Sequence, residues 1–336
     1  MSSERRVSSG VRGAMDRVWE ARRDLRRFAR HNAASTLRLR KLDLVGRIVV
    51  ITGGSSGIGY ATARRCLGAG ARVVIVARSA EDLAEARETL SRSGDIHVRT
   101  CDVTDEAAVR AMIDEVEATI GPIDVLVNNA GRSIRRSTVN SVERMHDYHR
   151  TMDVNYYGAV ACTLAVLPKM IERGRGRIVN VSSIATQALG PRFGAYAASK
   201  AALDAFGDVL AGEVAGRGIT VTSVKMPLTR TPMIEPTGAY RSMSTISPGQ
   251  AASLVMRGIR YGRPRVSTLP GEAAAAAVAL TPGSAAFWRH VDYLAVPESS
   301  AALGITKSVV ADEVEDAAEE VQNDGVHELV QEDSHV

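Results

Sequence analysis

Tyr196 and Lys200 are the first residues whose types and spacing suggest chemistry. They lie four positions apart in a segment with helical periodicity, so their side chains share one face of the helix. A phenol with a reference pKa near roughly 10 is a poor proton donor and acceptor at neutral pH, and a nearby ammonium lowers that pKa towards the working range. Ser183, which ends a predicted strand, could hydrogen-bond a substrate carbonyl oxygen. These three residues predict acid–base chemistry on a carbonyl group.

Asn155 lies inside the predicted helix that precedes the strand of Ser183. Its amide could hold a water molecule that bridges to Lys200. A residue that only bends the helix is the alternative, and the sequence leaves both open.

A glycine-rich turn follows the first predicted strand and runs straight into a helix. Glycines let the backbone approach a pyrophosphate closely, and the helix N-terminus supplies free N–H groups and a positive dipole end. This placement in a strand–turn–helix unit favours dinucleotide binding over a plain turn. The candidate contacts are Gly53, Ser55, Ser56, Gly57, Ile58 and Gly59.

The end of the second predicted strand bears on the choice of coenzyme. An NAD site would place an acidic residue there, to accept a hydrogen bond from the ribose 2′-hydroxyl. The sequence has Arg78 instead, and a cation suits a 2′-phosphate, so we expect NADP(H). A solvated arginine at a strand end is the alternative.

Two further strand ends face the same crevice. Asp102 and Val103, after the third strand, are candidates for contact with the adenine. Asn129, Ala130 and Gly131, after the fourth strand, offer groups to the adenosine side of the coenzyme. Either segment alone could equally be an ordinary turn.

The elements that position these residues are short apolar strands alternating with helices. We predict strands at 47–52, 72–78, 97–103, 124–130, 177–183 and 220–227. We predict helices at 57–69, 80–92, 105–119, 142–173 and 195–217. Apolar strands that are each followed by a helix indicate an α/β fold with a doubly wound, Rossmann-like parallel sheet.

The pattern changes after residue 227. We expect a mobile flap (residues 229–245), a helix at 247–260 and a seventh strand at 265–269. Ser247 should cap the helix, with Pro248 at its first position. A short alanine-rich helix at 272–280 should follow, and then an aromatic cluster of Phe287, Trp288, Tyr293 and Leu294.

Charge divides the chain into four parts. We predict a basic amphipathic arm at 1–44, a dinucleotide-binding catalytic domain at 45–270, a helical and aromatic extension at 271–310 and an acidic tail at 311–336. Residues 1–47 carry a net charge of +8 and residues 311–336 carry −10, within a total of +4. The arm could lie on an anionic membrane surface, or it could dock on the body or on a partner subunit. The arm and the tail could also attract each other.

Composition excludes several classes of protein. The 336 residues are 45% hydrophobic, which supports a substantial core. The longer uncharged stretches fall short of the roughly 18–20 apolar residues of a membrane-spanning helix, and no secretory signal is expected. The three cysteines and seven histidines have neither disulfide nor metal-ligand spacing, so we expect no metal site and a reducing, cytoplasmic compartment. No motif indicates specific nucleic-acid binding.

Residues 42–264 resemble the short-chain dehydrogenase/reductase family. The resemblance rests on the glycine turn and the 128–131 motif, with Asn155, Ser183, Tyr196 and Lys200 in family order and spacing. It implies that Tyr196 is the acid/base, that Ser183 positions the carbonyl, that Lys200 binds the nicotinamide ribose and that Asn155 supports a proton relay.

Departures from the family pattern follow the sixth strand. The family has Pro-Gly there, and then a threonine that holds the carboxamide. This chain has Pro227 and Leu228, with Thr231 as the candidate threonine. The family's C-terminal strand, which helps to build tetramers, is absent from the sequence, so we expect a dimer.

The flap and the segment after it resemble the reductase module of bacterial fatty acyl-CoA reductases. This resemblance implies NADPH-dependent reduction of a long-chain acyl-CoA to an aldehyde. Four apolar residues could line an acyl channel or simply pack the flap: Met226, Leu228, Met233 and Ile234. A ketone or alcohol oxidoreductase acting on a lipid, steroid or polyketide-like substrate is the alternative, and a non-catalytic NADPH-binding scaffold is a third.

Overall fold

The computed structural model describes residues 41–235, 240, 243–280 and 282–295. Nearly all of the predicted basic arm, and the whole acidic tail, lie outside the described residues. The described chain forms a seven-stranded parallel sheet in the order β3-β2-β1-β4-β5-β6-β7, which confirms the Rossmann-like prediction. Its strands are β1 Ile48–Thr52, β2 Arg72–Ala77, β3 Ile96–Thr100, β4 Ile123–Asn128, β5 Gly176–Ser183, β6 Ile219–Met226 and β7 Arg265–Val266.

The strand predictions differ from the structure mainly at the ends. β3 stops at Thr100, three residues before the predicted end. The Asp102 carboxylate turns the chain there, because it accepts hydrogen bonds from both the amide and the hydroxyl of Thr104. The predicted seventh strand shrinks to Arg265–Val266, since a helix already begins at Leu269.

Helices cover both faces of this sheet. They are α1 Gly57–Leu67, α2 Ala80–Leu90, α3 Glu106–Thr119, α4 Met145–Met152, α5 Gly158–Arg173, α6 Ala185–Ala188, α7 Gly194–Glu213, α8 Pro248–Tyr261, α9 Leu269–Leu280 and α10 Pro282–Ala295. Ser247 caps α8 as predicted, because its hydroxyl accepts from the Gln250 amide while the Gln250 side chain accepts from the Ser247 amide.

The predicted helix 142–173 is confirmed from Met145 to Arg173, but it is not regular along its length. The structure divides it into α4, a π-helical segment Asp153–Tyr157 and α5. Asn155 lies in the middle of the π segment and is fully buried. A π segment inserts an extra residue into the helical turn and often accompanies a functional site. The helix therefore changes its geometry where a site residue was predicted.

The core consists of one apolar layer on each face of the sheet. α1, α2 and α8 pack on one face, around Val49, Val73, Val179 and Val224. α3, α5 and α7 pack on the other, around alternate residues of the same strands. Strands buried on both faces have to be apolar at almost every position, which is why they stood out in the sequence.

The stretch Met145–Arg173 is long and apolar enough to cross a membrane by length and composition alone. Its residues Cys162, Val166 and Met170 are fully buried in the layer beneath the sheet. Packing against the sheet therefore accounts for the apolar residues on the buried face of this helix.

The C-terminal part of the described chain is helical. Of the predicted aromatic cluster, Phe287 and Leu294 lie on α10 with 61% and 69% of their surface exposed, and the Trp288 side chain lies outside the described part of the structure. Tyr293, on the same helix, instead contacts Arg192, whose guanidinium lies 4.6 Å from the centre of the ring. α10 thus reaches back to the segment just before Tyr196.

Candidate active site

The glycine turn between β1 and α1 leaves no room for side chains. Gly53 has a φ of 63°, a left-handed conformation that favours glycine. A Cβ on Gly59 would lie 2.1 Å from the Gly53 carbonyl oxygen. The cap residue Ser56 makes no side-chain hydrogen bond to the first turn of α1, so the helix presents its own N–H groups. This cradle fits the pyrophosphate of a dinucleotide.

Hydrogen bonds of the Thr52 and Asn129 side chains join the ends of β1 and β4. The Thr52 hydroxyl accepts from the amides of Asn129 and Ala130, both at 3.0 Å. The Asn129 side chain donates to the carbonyls of Thr52 and Gly53, both at 2.9 Å. Sequence reasoning included Asn129 but missed Thr52, although a hydroxyl directly before the glycine turn was a usable signal.

Arg78 and Asp102 end neighbouring strands at the same edge of the sheet. The Arg78 guanidinium lies 3.9 Å from the Asp102 carboxylate and is 71% exposed. Val103, next to Asp102, is buried in the core layer and contacts α5 at Gly158. The predicted adenine contact of Asp102 remains a prediction, since that carboxylate already binds Thr104 and lies near Arg78.

The first residues of the flap (residues 229–231) lie against the glycine turn between β1 and α1. A Cβ on Gly57 would lie 3.2 Å from the Thr231 methyl group, so Thr231 sits directly over the start of α1. Its hydroxyl donates to the Thr229 carbonyl at 3.3 Å. Pro227 stands between β6 and this segment and accepts a hydrogen bond from the Thr229 hydroxyl. The structure therefore brings Pro227 and Thr231 to the same cleft as the glycine turn.

Tyr196 and Ser183 meet at the carboxyl end of β5. Ser183 is buried and Tyr196 is partly buried, and the Ser183 hydroxyl lies near enough to Tyr196 to lower the pKa of its phenol. The predicted direction of the Tyr196 pKa was wrong. Burial is the largest cause and raises the pKa above its usual value, the Ser183 hydroxyl lowers it, and the Asp204 carboxylate raises it further. Spacing along a helix does not show how deeply a phenol is buried.

Lys200 is buried one turn beyond Tyr196 on α7. Its ammonium donates to the Val181 carbonyl at 2.8 Å, which ties α7 to β5. Burial lowers the pKa of Lys200 to about 8, and the Asp204 carboxylate partly opposes that shift. The ammonium therefore loses its proton much closer to neutral pH than an exposed lysine does.

The Asn155 side chain is hydrogen bonded to the main chain directly after the 128–131 motif. Its Oδ1 accepts from the Arg132 amide at 2.8 Å, and its Nδ2 donates to the Arg132 carbonyl at 2.9 Å and to Ser199 Oγ at 2.9 Å. A Cβ on Gly131 would lie 3.0 Å from Asn155 Oδ1 and 3.4 Å from Lys200 Nζ. Asn155 and Lys200 thus flank Gly131, and the helix bend that was the alternative role of Asn155 is also present.

Two aromatic side chains, Phe193 and Tyr240, lie beside Tyr196. The ring centre of Phe193 lies 6.2 Å from that of Tyr196. It lies 6.5 Å from that of Tyr240, and the planes of the Phe193 and Tyr240 rings are 17° apart, so these two rings are stacked. Burial raises the pKa of Tyr240 to about 12. Sequence reasoning missed Phe193 and Tyr240 as site residues, because only tertiary packing brings the flap to α7.

The four residues for which the sequence left open an acyl channel or packing of the flap differ in burial. Met226 is buried in the core layer with α8, while Met233 is 48% exposed. Leu228 and Ile234 are partly buried. Met226 therefore has the packing role of the two alternatives.

The described residues contain no group of three or more His, Cys, Asp or Glu side chains that could hold a metal ion. The three cysteines are buried and free, and burial raises the pKa of Cys66 and Cys162 to about 12. The chemistry available at the cleft is therefore that of two adjacent hydroxyls and a buried ammonium.

Known proteins resemble this chain in sequence and in fold. A family model described as short chain dehydrogenase matches residues 47–241. The chain is 44% identical over 260 residues to a fatty acyl-CoA reductase from Acinetobacter baylyi, covering 77% of this chain and 88% of that protein. It is 38% identical over 232 residues to a fatty acyl-CoA reductase from Mycobacterium tuberculosis, covering 68% and 79%. A solved short-chain dehydrogenase from Streptomyces avermitilis matches with a TM-score of 0.63 at 28% identity, covering 75% of this chain and all of that one.

The matched region begins at β1 and ends in the flap. It contains the glycine turn, the hydrogen-bonded Asn155 and the Ser183–Tyr196 pair, and it spans more than half of the chain. The parallel sheet and the sequence match lead to the same conclusion, which is that this chain belongs to the short-chain dehydrogenase family of oxidoreductases.

Proposed function

We propose that this chain is an NADPH-dependent reductase that converts a long-chain fatty acyl-CoA to the aldehyde. The observation that carries the proposal is that Ser183 and Tyr196 lie side by side at the carboxyl edge of the sheet, where α/β folds bind ligands. The choice of an acyl thioester rests on the 44% identity to a fatty acyl-CoA reductase over 77% of this chain.

The cleft residues fit a nicotinamide dinucleotide. The turn at Gly53 and Gly59 would hold the pyrophosphate, because a backbone without side chains lets it approach the N-terminus of α1. Arg78, exposed at the end of β2, would pair with the 2′-phosphate of NADPH. Thr231 would contact the coenzyme from the flap side.

In the proposed reaction, Ser183 and Tyr196 bind the thioester carbonyl oxygen. A bound NADPH supplies the hydride to the carbonyl carbon. The Tyr196 hydroxyl donates its proton to the oxygen as negative charge develops there, and Ser183 holds that oxygen in place by a second hydrogen bond. The Lys200 ammonium stabilises the phenolate that remains.

The hemithioacetal formed in this way then collapses. The Tyr196 phenolate takes back the hydroxyl proton, the carbonyl re-forms as the aldehyde, and the carbon–sulfur bond breaks to release CoA as the thiolate. Each turnover would therefore consume one NADPH and release one thiol. Asn155 would keep the chain after Gly131 in place beside Lys200.

A coupled assay tests this function. We expect palmitoyl-CoA to support oxidation of NADPH with stoichiometric appearance of free thiol, and NADH to support it poorly. The same hydroxyl pair would serve a ketone, so a panel of lipid and steroid ketones is run in parallel. NADPH oxidation with a ketone, and no thiol release from any acyl-CoA, would replace the proposal with the ketone reductase alternative.

A further inference from the structure

A buried ion pair joins β6 to α7 behind the candidate site. Lys225 and Asp204 are only 8% and 9% exposed, and the Lys225 ammonium donates directly to the Asp204 carboxylate. Taking two charges out of water is costly, and an apolar pair of similar volume is often as stable or more stable. Stability of the fold therefore does not by itself explain charged residues at this place.

The pair lies between the two elements that carry the candidate site. Asp204 follows Lys200 by one turn and Tyr196 by two turns on α7. Lys225 lies opposite Ser182 in the parallel pairing of β5 and β6, next to the end of the strand at Ser183. The ion pair thus joins the helix that carries the phenol to the strand that carries the serine.

A continuous set of hydrogen bonds leads from this pair to Ser183. The Lys225 ammonium donates to the Thr186 hydroxyl at 3.0 Å, in addition to its bond to Asp204. The Thr186 hydroxyl in turn donates to the Ser183 carbonyl at 2.9 Å. Thr186 belongs to α6, the short helix that begins two residues after Ser183. The main chain on both sides of this turn is therefore anchored to Lys225.

The orientation of the Ser183 hydroxyl depends on the same turn. Ser183 Oγ accepts from the Ala185 amide at 3.1 Å, so the position of α6 determines one of its hydrogen bonds. The Ile184 amide donates to the Met226 carbonyl at 3.0 Å, which fixes the turn to the end of β6. A shift of α6 would move Ser183 Oγ relative to Tyr196.

We propose that Asp204, Lys225 and Thr186 are positioning residues for Ser183. Asp204 holds the Lys225 ammonium, Lys225 fixes the Thr186 hydroxyl, and Thr186 holds the Ser183 main chain, so that the serine hydroxyl points to Tyr196. The inference rests on the roles proposed above for Ser183 and Tyr196. Displacement of such a group by about 1 Å can reduce the rate by roughly 10²-fold.

A matched pair of variants at Thr186 tests the last link. Thr186→Val removes the hydroxyl and keeps the shape, whereas Thr186→Ser keeps the hydroxyl. We expect Thr186→Val to lower kcat about tenfold or more, with the KM for NADPH changed by less than about twofold. Thr186→Ser should stay close to the parent enzyme. An equal loss in both variants would refute the role of the hydroxyl.

The ion pair has to be removed as a whole. Asp204 Oδ1 has no hydrogen-bond partner among the described residues, so loss of Lys225 alone would leave an unpaired buried carboxylate and could unfold the chain. The double variant Asp204→Leu/Lys225→Met avoids this. It should keep a thermal midpoint close to that of the parent and lower kcat at least to the same extent as Thr186→Val, because loss of the Asp204 carboxylate also lowers the pKa of Lys200. Addition of Thr186→Val should cause little further loss, because the three residues act in one chain.

Hydrogen exchange of the free protein separates this inference from the proposed function. The amides of residues 183–189 should exchange faster in Thr186→Val and in the double variant, and at the parent rate in Thr186→Ser. If the parent enzyme reduces no acyl-CoA but the exchange changes in this pattern, the proposed function fails and the positioning role stands. Unchanged exchange in the double variant, together with unchanged kcat on any substrate, would overturn the inference.

Discussion

The Ser183 hydroxyl lies beside the Tyr196 phenol, although the residues belong to different elements and lie thirteen positions apart. Two features of the chain bring them together. β5 ends at Ser183, and the Lys200 ammonium binds the Val181 carbonyl, which holds the first turns of α7 against the end of β5. A carbonyl oxygen placed between the two hydroxyls would receive two donors at once.

Tyr196→Phe tests the proposed acid directly. The variant keeps the ring and its packing against Phe193 but has no proton to donate. We expect kcat for NADPH oxidation and for thiol release to fall together by about 10²- to 10⁴-fold. NADPH binding, followed by its fluorescence, should be nearly unchanged. Turnover that survives the substitution would remove Tyr196 from the mechanism.

The pH dependence of the reaction should report Lys200. The pKa of Lys200 is about 8, so the ammonium is charged below that pH and neutral above it. Tyr196 stays protonated throughout, because burial raises its pKa. We therefore expect kcat/KM for reduction to fall as the pH rises through about 8.

A variant of the same residue serves as the control for this pH profile. The guanidinium of Lys200→Arg remains charged up to a pH of about 12, so the decline near 8 should disappear even if the overall rate is lower. A decline at the same pH in both proteins would assign the titration to another group.

Arg78 should determine the preference between the two coenzymes. Arg78→Ala removes the only group of the β2 end that we assign to the 2′-phosphate. Because Arg78 is 71% exposed, solvent screens its charge, and we expect kcat/KM for NADPH to fall by roughly tenfold with that for NADH unchanged. Arg87→Ala, at an exposed position on α2, is the matched control. A proportionate fall with both coenzymes would contradict the assignment.

Arg192 should hold the C-terminal helix against the site. It is buried, its guanidinium donates to the Tyr293 carbonyl at 2.8 Å, and its φ of 69° is in the left-handed region. A charged hydrogen bond together with a cation–π contact contributes about 2 kcal/mol. Arg192→Ala should therefore speed hydrogen exchange in α10 and raise the KM for acyl-CoA.

Arg257→Ala provides the comparison for Arg192, because Arg257 is exposed on α8. It should change neither the exchange rates of α10 nor the KM. Slow exchange in α10 after loss of Arg192 would show that other contacts hold this helix.

The sequence was sufficient to predict the sheet and the cleft for identifiable physical reasons. Strands buried on both faces are apolar without interruption, and a backbone cradle needs glycine where a Cβ on Gly59 would strike the Gly53 carbonyl. Both signals are local. The right-handed crossover rule then favours a doubly wound sheet, while the order of the seven strands comes from the structure.

What the sequence did not show depends on depth and on distant contacts. The rise in the pKa of Tyr196 follows from burial that no i, i+4 spacing reports. Asp204 and Lys225 come from different elements, 21 residues apart, and neither stands in a motif. The π segment at Asn155 was likewise hidden, because apolar periodicity over a long helix does not register one additional residue in a turn.

Gly59 offers the sharpest test of the glycine cradle. A Cβ at this position would lie 2.1 Å from the Gly53 carbonyl oxygen and 2.6 Å from Asn129 Nδ2, both partners in the hydrogen bonds that join β1 and β4. We expect Gly59→Ala to lower the free energy of unfolding by about 1–3 kcal/mol, because the added methyl group overpacks the turn. It should also weaken NADPH binding more than tenfold, which corresponds to roughly the loss of one good hydrogen bond. Urea unfolding and fluorescence titration measure the two effects.

Gly212, near the end of α7, is the matched control. A Cβ there meets no atom within 4 Å, and alanine reduces the conformational freedom of the unfolded chain. Gly212→Ala should therefore stabilise the protein by about 0.4–1 kcal/mol and leave NADPH binding unchanged. If Gly59→Ala were as stable as Gly212→Ala and bound NADPH equally well, the close approach of α1 to β1 would have no part in holding the coenzyme.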